Sequence, residues 1–134
     1  MEYDLSLPVE PIDRRVKSLF PEAEAVFGFA GHYVLLDPNS ALEAGKGYWI
    51  YVPEEKTYSL KGLPIERIDI PAAKGGWSMI GSCTESSTPS VDQGAIRAIF
   101  GFSHKYNLLG PGDPLQPGKG YWINLSEEAT LTVG

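Results

Sequence analysis

The feature that most constrains this chain is an internal duplication. The string GKGYWI occurs at residues 45–50 and again at residues 118–123. An ungapped offset of 73 extends the match, so that 18 of the 37 positions in residues 25–61 are identical to their counterparts in residues 98–134. Upstream of this region the offset becomes 75. A repeat of this size indicates that one structural unit is used twice, related by a pseudo-twofold axis.

The length of the chain suits one core shared by the two copies. At 134 residues it is too short for two comfortable independent domains. The second copy opens with Gly75-Gly76-Trp77, whereas the first has only Met1-Glu2-Tyr3, so we expect the first copy to be clipped and to lack a counterpart of the segment that leads into the second. We predict a single domain (1–134) with internal repeats at 1–62 and 75–134, joined by a strand-bearing linker at 63–74.

Alternation of apolar and polar residues predicts that the repeats are built from short strands. Fifteen Gly and eleven Pro, scattered along the chain, fit many strands joined by tight turns. The terminal segment alternates cleanly, with Leu131 and Val133 inward, and Tyr58 and Leu60 match that pair in the first repeat. The face predicted to be buried comprises Tyr48, Ile50, Val52 and their partners Tyr121, Ile123, Leu125. Predicted strands are 4–9, 25–30, 33–36, 48–52, 57–60, 66–70, 77–82, 98–103, 106–109, 121–125 and 130–133.

Each repeat has room for one short helix. In the first, an apolar stripe with helical spacing follows Pro11. In the second, Thr88 is placed to cap a helical turn that begins at Pro89, with Val91 pointing inward. The stripe of the first repeat consists of Ile12, Val16, Leu19 and Phe20. The predicted fold is therefore all-β, a sandwich or a partly closed barrel built from two tandem pseudo-twofold-related repeats, each with one short helix.

Composition and charge exclude several classes of partner and cofactor. The net charge of −6 opposes binding to a phosphate backbone, so nucleic acid is not expected as a partner. No stretch approaches the roughly 20 apolar residues that span a bilayer, and the N-terminus does not read as a signal peptide. The GKG loops lack the spacing of a phosphate-binding loop, and no cofactor is predicted. Cys83 is the one cysteine, which permits no intramolecular disulfide and is predicted to be a small buried residue.

Acidic residues do not form a recognisable catalytic or metal site. The pairs Glu54-Glu55 and Glu127-Glu128 fall where a hairpin should reverse. Adjacent residues point apart, whereas glycosidase carboxylates face each other across about 5–10 Å. Asp37, Asn39 and Ser40 carry oxygens suited to Ca²⁺, but their spacing is not that of a regular calcium loop. We predict no catalytic residues and no metal, with a small hydrolase as the remote alternative.

Two motifs carry a resemblance to a known repeat. GGWSMIG at residues 75–81 and PGKGYWINLSEEATLTVG at residues 117–134 resemble a duplicated β repeat of bacterial and archaeal surface and secreted proteins. That repeat typically reads GWNLISLP, then a variable middle, PGKGYWI and a closing ATLTVTG. Here the first copy lacks the opening Gly-Trp, and Ser78 stands for the usual Asn. The resemblance implies an extracellular or cell-surface module within a larger protein, and it carries no catalytic residues to transfer.

The residues singled out for ligand binding lie on the face opposite the predicted core. Exposed aromatic rings on a flat β face can stack on sugar rings, whereas the alternative is that the same rings pack into a second small core. These candidates are Trp49, Trp122, Trp77, Tyr51 and Asn124.

The function that we expect is a non-catalytic binding or adhesion-type module with a carbohydrate or protein ligand. The alternative is a structural spacer or protein-interaction domain. Because the clipped start leaves a sheet edge without its strand, we also expect either a homodimer through that open edge or an N-terminus that folds back over it.

Overall fold

The structure is a computed structural model, and it describes residues 1–110 and 112–134. Pro111, which pairs with Pro38 in the repeat alignment, lies outside the described residues. The fold is all-β, as predicted, and the described residues form antiparallel sheets, none of which closes into a barrel. The strands are β1 Glu2–Leu5, β2 Val9–Glu10, β3 Ala25–Phe29, β4 Tyr33–Leu35, β5 Tyr48–Tyr51, β6 Leu63–Pro64, β7 Ile68–Ala73, β8 Gly76–Ile80, β9 Pro89–Val91, β10 Ile96–Phe102, β11 Tyr106–Leu108, β12 Tyr121–Leu125 and β13 Ala129–Val133, and the helix is α1 Val16–Leu19.

Two four-stranded sheets are built from corresponding strands of the two repeats. Their orders are β1-β5-β3-β4 in the first repeat and β8-β12-β10-β11 in the second. The ladders also correspond, because Asp4 lies opposite Trp49 on β5 and Met79 lies opposite Trp122 on β12. Both copies of the string GKGYWI therefore lead into the strand that pairs with the first strand of the repeat.

The predicted core face is buried in both repeats. The relevant side chains are at most 5% exposed, namely Tyr48, Ile50, Val52, Tyr121, Ile123 and Leu125. They join one hydrophobic cluster to which both repeats and the linker contribute, including Leu42, Leu115 and Ile68. This burial also determines which side chains lie on the opposite face of each sheet, because successive side chains along a strand alternate between the two faces.

The closing segments of the two repeats differ, which corrects one sequence expectation. Residues 129–133 form β13, which lies between β7 and β9 in a three-stranded sheet. The matching residues 57–60 do not form a strand. Tyr58 and Leu60 still pack against the core, so the alternation is correct, but this segment has no strand beside it to pair with among the described residues.

The helices were overpredicted. In the first repeat only Val16–Leu19 is helical, and Ile12 is fully exposed. The backbone just before the helix instead pairs with a later loop, since Leu42 donates its N–H to the carbonyl of Arg14 (2.8 Å) and Arg15 forms a bridge with Ala41. In the second repeat the predicted helix at Pro89 is the strand β9, which pairs with β13, because the open edge of β13 offers backbone partners that a helical turn would lose. Among the described residues, none of the helical segments has the length and hydrophobicity of a membrane span.

The GKG loops hold the two repeats together. Ser6 at the end of β1 donates its N–H to the carbonyl of Gly118 (3.0 Å). In the reciprocal contact, Gly81 after β8 donates its N–H to the carbonyl of Gly45 (2.9 Å). Each loop therefore pairs with the first strand of the other repeat, and the repeated motif has an architectural role.

The second glycine of each GKG loop is required because the first strand of the other repeat passes close to it. A β-carbon added to Gly47 would lie 2.9 Å from the carbonyl oxygen of Ile80, and one added to Gly120 would lie 2.9 Å from the carbonyl oxygen of Leu5. These contacts are with backbone of the other repeat, which cannot move away cheaply. Glycine is required because the two chains pass within backbone contact distance.

Candidate functional site

The faces of the four-stranded sheets that point away from the core carry many aromatic side chains. They alternate with buried core residues along the strands, as Phe27 and Phe29 do on either side of the buried Gly28. The first repeat contributes Phe27, Phe29, Tyr33, Trp49 and Tyr51, and the second contributes Trp77, Phe100, Phe102, Tyr106 and Trp122. We call this surface the aromatic face.

Four of these rings form a symmetric contact between the repeats, which we call the aromatic seam. Trp49 packs edge-on against Phe102, with ring centroids 4.8 Å apart at an angle of 78°. Phe29 packs against Trp122 in the same way, at 4.8 Å and 76°. The offset of 73 exchanges these two pairs, so the same contact is made twice. Edge-to-face pairs at this distance stabilise beyond the area they bury.

Two tyrosines flank the seam in equivalent positions. Trp49 donates its Nε1–H to Tyr33 Oη (3.1 Å). Tyr33 also lies edge-on to Trp122 across the seam, with centroids 6.1 Å apart, and Tyr106 lies edge-on to Trp49 at 6.3 Å. Both tyrosines are about half exposed, and partial burial raises the pKa of Tyr106. They therefore mark where the packed seam reaches solvent.

On one side of the seam lies an open groove whose lining is aromatic throughout. Its volume is about 470 Å³, and the ring of Trp77 on β8 leans over Phe100 with centroids 5.8 Å apart. Trp77 is 47% exposed and Tyr106 is 53% exposed. We call this the Trp77 groove, lined by Phe29, Trp77, Phe100, Tyr106 and Trp122.

The pseudo-twofold axis places a second, smaller groove on the other side, with a volume of about 320 Å³. Here Glu2 occupies the position of Trp77, because Glu2 lies opposite Tyr51 in one ladder as Trp77 lies opposite Asn124 in the other. We call this the Glu2 groove, lined by Glu2, Phe27, Tyr33, Trp49, Tyr51, Phe102 and Tyr106. One groove thus presents an indole where its counterpart presents a carboxylate.

The five candidate ligand-binding residues do not share one groove. Trp77 and Trp122 line the Trp77 groove, and Asn124, half-buried, lies directly opposite Trp77 in the ladder. Tyr51 and Trp49 belong to the Glu2 groove. Trp49 is only 7% exposed, so for this ring the packing interpretation holds.

Three residues of the Trp77 groove were missed from the sequence. They are Phe29, Phe100 and Tyr106. A signal was present, because Phe29 and Tyr106 each have an identical counterpart in the other repeat. Phe29 and Phe100 lie in the two alternating strands AVFGF and AIFGF, at positions opposite the core face. Alternation predicts which residues face the core, but it does not by itself predict that aromatic residues of the other face line a groove.

One buried carboxyl was also missed. Asp4 on β1 is 6% exposed, and its carboxyl oxygens have no hydrogen-bond partner among the described residues. Burial raises the pKa of Asp4 to about 7. The repeat alignment could have predicted this carboxyl. Asp4 occupies the position of the apolar Met79, and a carboxyl is unusual at a buried strand position.

Other reactive groups do not converge on the aromatic face. Cys83 is buried, as predicted, and its thiol donates to the carbonyl of Val133 (3.3 Å). Glu127 and Glu128 lie exposed in the turn between β12 and β13. Within residues 1–110 and 112–134 no group of three or more His, Cys, Asp or Glu side chains is arranged to hold a metal ion.

No protein family model, curated protein or solved structure matches this chain. The resemblance to the surface-protein repeat therefore rests on the sequence motifs alone.

Proposed function

We propose that this chain is a non-catalytic binding module of the adhesion type, that its ligand is a carbohydrate, and that the Trp77 groove is the binding surface. The observation that carries the proposal is the exposure of two large rings, Trp77 and Tyr106, at the rim of an open aromatic groove. Contiguous exposed apolar surface is costly in a soluble protein and marks sites of interaction. The surface-protein repeat that the motifs resemble fits such a module.

The chemistry of the groove suits the apolar face of a sugar ring. The C–H groups of a pyranose can lie against an indole or phenol ring while its hydroxyls point to solvent. The volume of about 470 Å³ falls within the range of about 300–1,000 Å³ in which small ligands bind. Asn124 lies opposite Trp77 in the ladder, but its Oδ1 is buried and the residue does not line the groove, so the stacking rings carry the proposal.

The proposal assigns one ligand site to the chain, although the fold is duplicated. The Glu2 groove has the same strands and much the same aromatic lining, but a carboxylate stands where Trp77 would stack. A ring cannot stack on a solvated carboxylate. We therefore expect ligand at the Trp77 groove and not at its counterpart.

A glycan array probed with the purified protein tests the proposal. The expected result is binding to a defined group of glycans that Trp77→Ala abolishes. Tyr51→Ala is the matched control, because Tyr51 is also an exposed ring (39%) but lies in the Glu2 groove. Equal loss of binding in both variants, or full binding by Trp77→Ala, would place the ligand elsewhere.

A second candidate function is a protein-interaction domain or structural spacer. The observation that favours it is the lining of the Trp77 groove, in which no charged side chain takes part, so that it offers few groups to orient sugar hydroxyls. Aromatic grooves of this kind also receive apolar or proline-rich peptide segments. An array on which no glycan is bound would favour this candidate over the first.

A further inference from the structure

The second repeat closes with a strand that has a neighbour on each side. β13 pairs with β7, with Ile70 opposite Leu131 and Ile68 opposite Val133. On its other side it pairs with β9. Ile68 is buried, at 8% exposed. β7 therefore supplies both backbone partners and apolar side chains to the closing strand.

The equivalent segment of the first repeat has no such neighbour among the described residues. Residues 56–60 correspond to residues 129–133, and Tyr58 and Leu60 turn their side chains to the core as Leu131 and Val133 do. The N-terminal residues do not take the missing place. They form β1, which pairs with β5 and corresponds to β8, not to β7.

The direction of the backbone groups follows from the second repeat. Thr130 donates its N–H to Asp92 Oδ1 (2.8 Å) and accepts at its carbonyl from the Asp92 N–H (3.2 Å), so its backbone faces the β9 side. Backbone groups alternate in direction along a strand, and those of Leu131 and Val133 therefore face β7. A strand formed by residues 57–60 in the same register would direct the N–H and C=O groups of Tyr58 and Leu60 to the side where the described residues supply no strand.

On this side of residues 57–60 lies a groove of about 500 Å³, which we call the open strand position. Tyr58 and Leu60 form one wall, and the strand β1 and the loop around Gly118 form others. In the second half the equivalent space is filled, because a β-carbon on Gly45 would lie 2.7 Å from Cγ2 of Ile68. At the equivalent Gly118 the nearest atoms belong to Pro8, at 3.9 Å. The groove is thus the counterpart of the space that β7 occupies.

We propose that the open strand position binds an extended polypeptide segment from outside residues 1–134, antiparallel to residues 56–60 and with the side-chain pattern of β7. An apolar residue opposite Leu60 and another opposite Tyr58 would take the places of Ile68 and Ile70. The residue between them is polar, because Thr132 donates its hydroxyl to Asp69 Oδ1 (2.8 Å) in the second repeat. Ser59 keeps a hydroxyl at the corresponding position. Strand addition of this kind combines backbone hydrogen bonds with alternate side-chain pockets.

A second copy of the chain is a poor source of this segment. Its own β7 is paired along β13 and buries Ile68. Donating that strand would unpair its own sheet and expose part of its own core. A second copy is therefore not the expected donor of the segment.

The test uses the full protein and a synthetic peptide with the sequence of residues 66–74. We expect binding by isothermal titration calorimetry, and slowed hydrogen exchange at the Tyr58 and Leu60 amides in the complex. N-methylation of the peptide at Ile70 removes a hydrogen bond to the protein and should weaken binding roughly tenfold. N-methylation at Asp69, whose N–H faces away, is the matched control and should leave affinity within about twofold.

Three results would overturn the proposal. The first is an absence of binding at millimolar peptide. The second is binding that leaves the Tyr58 and Leu60 amides unprotected, or that the two N-methyl peptides weaken equally. The third is concentration-dependent protection of these amides in the protein alone, which would assign the position to a second copy. Because Trp77 does not line this groove, Trp77→Ala should bind the peptide as the unaltered protein does.

Discussion

The indole of Trp49 and the phenyl ring of Phe102 meet edge-on, 4.8 Å between centroids, and the pseudo-twofold axis converts this contact into that of Trp122 with Phe29 at the same distance. In each repeat, one tryptophan and one phenylalanine therefore pack against rings of the other repeat. Identity of a residue in both repeats does not show whether the residue serves ligand binding or packing. The seam shows that packing accounts for both copies of the GKGYWI tryptophan.

Truncating the seam should cost stability. Phe102→Ala removes the half-buried ring that packs on Trp49, and we expect the free energy of unfolding to fall by about 1.5–3 kcal/mol from the lost packing. Trp77→Ala, at an exposed ring, should change it by less than about 1 kcal/mol. Urea unfolding followed by circular dichroism gives both values. Similar losses in the two variants would show that the seam does not join the repeats.

The core face makes a separate prediction. Ile50 and Ile123 are fully buried at equivalent positions of β5 and β12. Replacing either by Ala should lower the free energy of unfolding by about 2–4 kcal/mol, because each change leaves a cavity in the shared cluster. A loss below about 0.5 kcal/mol in urea unfolding would mean that the two faces have been assigned the wrong way round.

The GKG loops should not tolerate a side chain at their second glycine. Gly47→Ala would bring a β-carbon within 2.9 Å of the Ile80 carbonyl oxygen, and we expect a loss of roughly 1–3 kcal/mol from the forced backbone shift. Gly28→Ala is the control, because its β-carbon would meet only ordinary contacts at 3.6 Å or more. Thermal unfolding of the two variants compares them directly. A Gly47→Ala protein as stable as the Gly28→Ala protein would contradict the backbone contact between the repeats.

Asp4 should make stability fall as pH rises. Burial raises its pKa from 3.8 to about 7, so between these values the folded protein holds a proton that the unfolded chain has released. The stabilising contribution is complete below about pH 4, is lost up to about pH 7 and is then constant, with a total of about 4 kcal/mol as an upper figure. Urea unfolding at pH 5 and pH 8 measures the difference. The lower value is set at pH 5 because the pKa values of Glu22 and Glu43 are lowered by lysine partners, so these carboxyls stay ionised over the range measured.

Variants at this position separate charge from packing. Asp4→Asn should abolish most of the difference between pH 5 and pH 8. Asp4→Met, which places the residue of position 79 in the first repeat, should also be more stable than the unaltered protein at pH 8. A pH difference that persists in both variants would assign it to other groups.

The sequence predicted the all-β class, the core face and the correspondence of the strands that contain GKGYWI, because alternation along a strand is a local signal. It did not predict that residues 57–60 form no strand or that Pro89–Val91 forms one. Whether these segments form strands depends on which neighbour lies beside them, and β7 supplies that neighbour to one repeat only. The local sequence also does not predict that Trp49 is buried whereas Trp77 is exposed. This difference depends on Phe102, which is 53 residues from Trp49 and reaches it only through the pseudo-twofold arrangement.

The most direct measurement follows the three indole N–H signals by two-dimensional NMR while the glycan bound most strongly on the array is added. We expect the Trp77 signal to shift most and that of Trp122 to shift less, whereas the signal of Trp49, which is buried and hydrogen-bonded to Tyr33, should keep its position. Saturation should occur at one equivalent of ligand. A Trp49 signal that moves while Trp77 stays fixed, or an array without any bound glycan, would contradict the assignment of the Trp77 groove as a carbohydrate site.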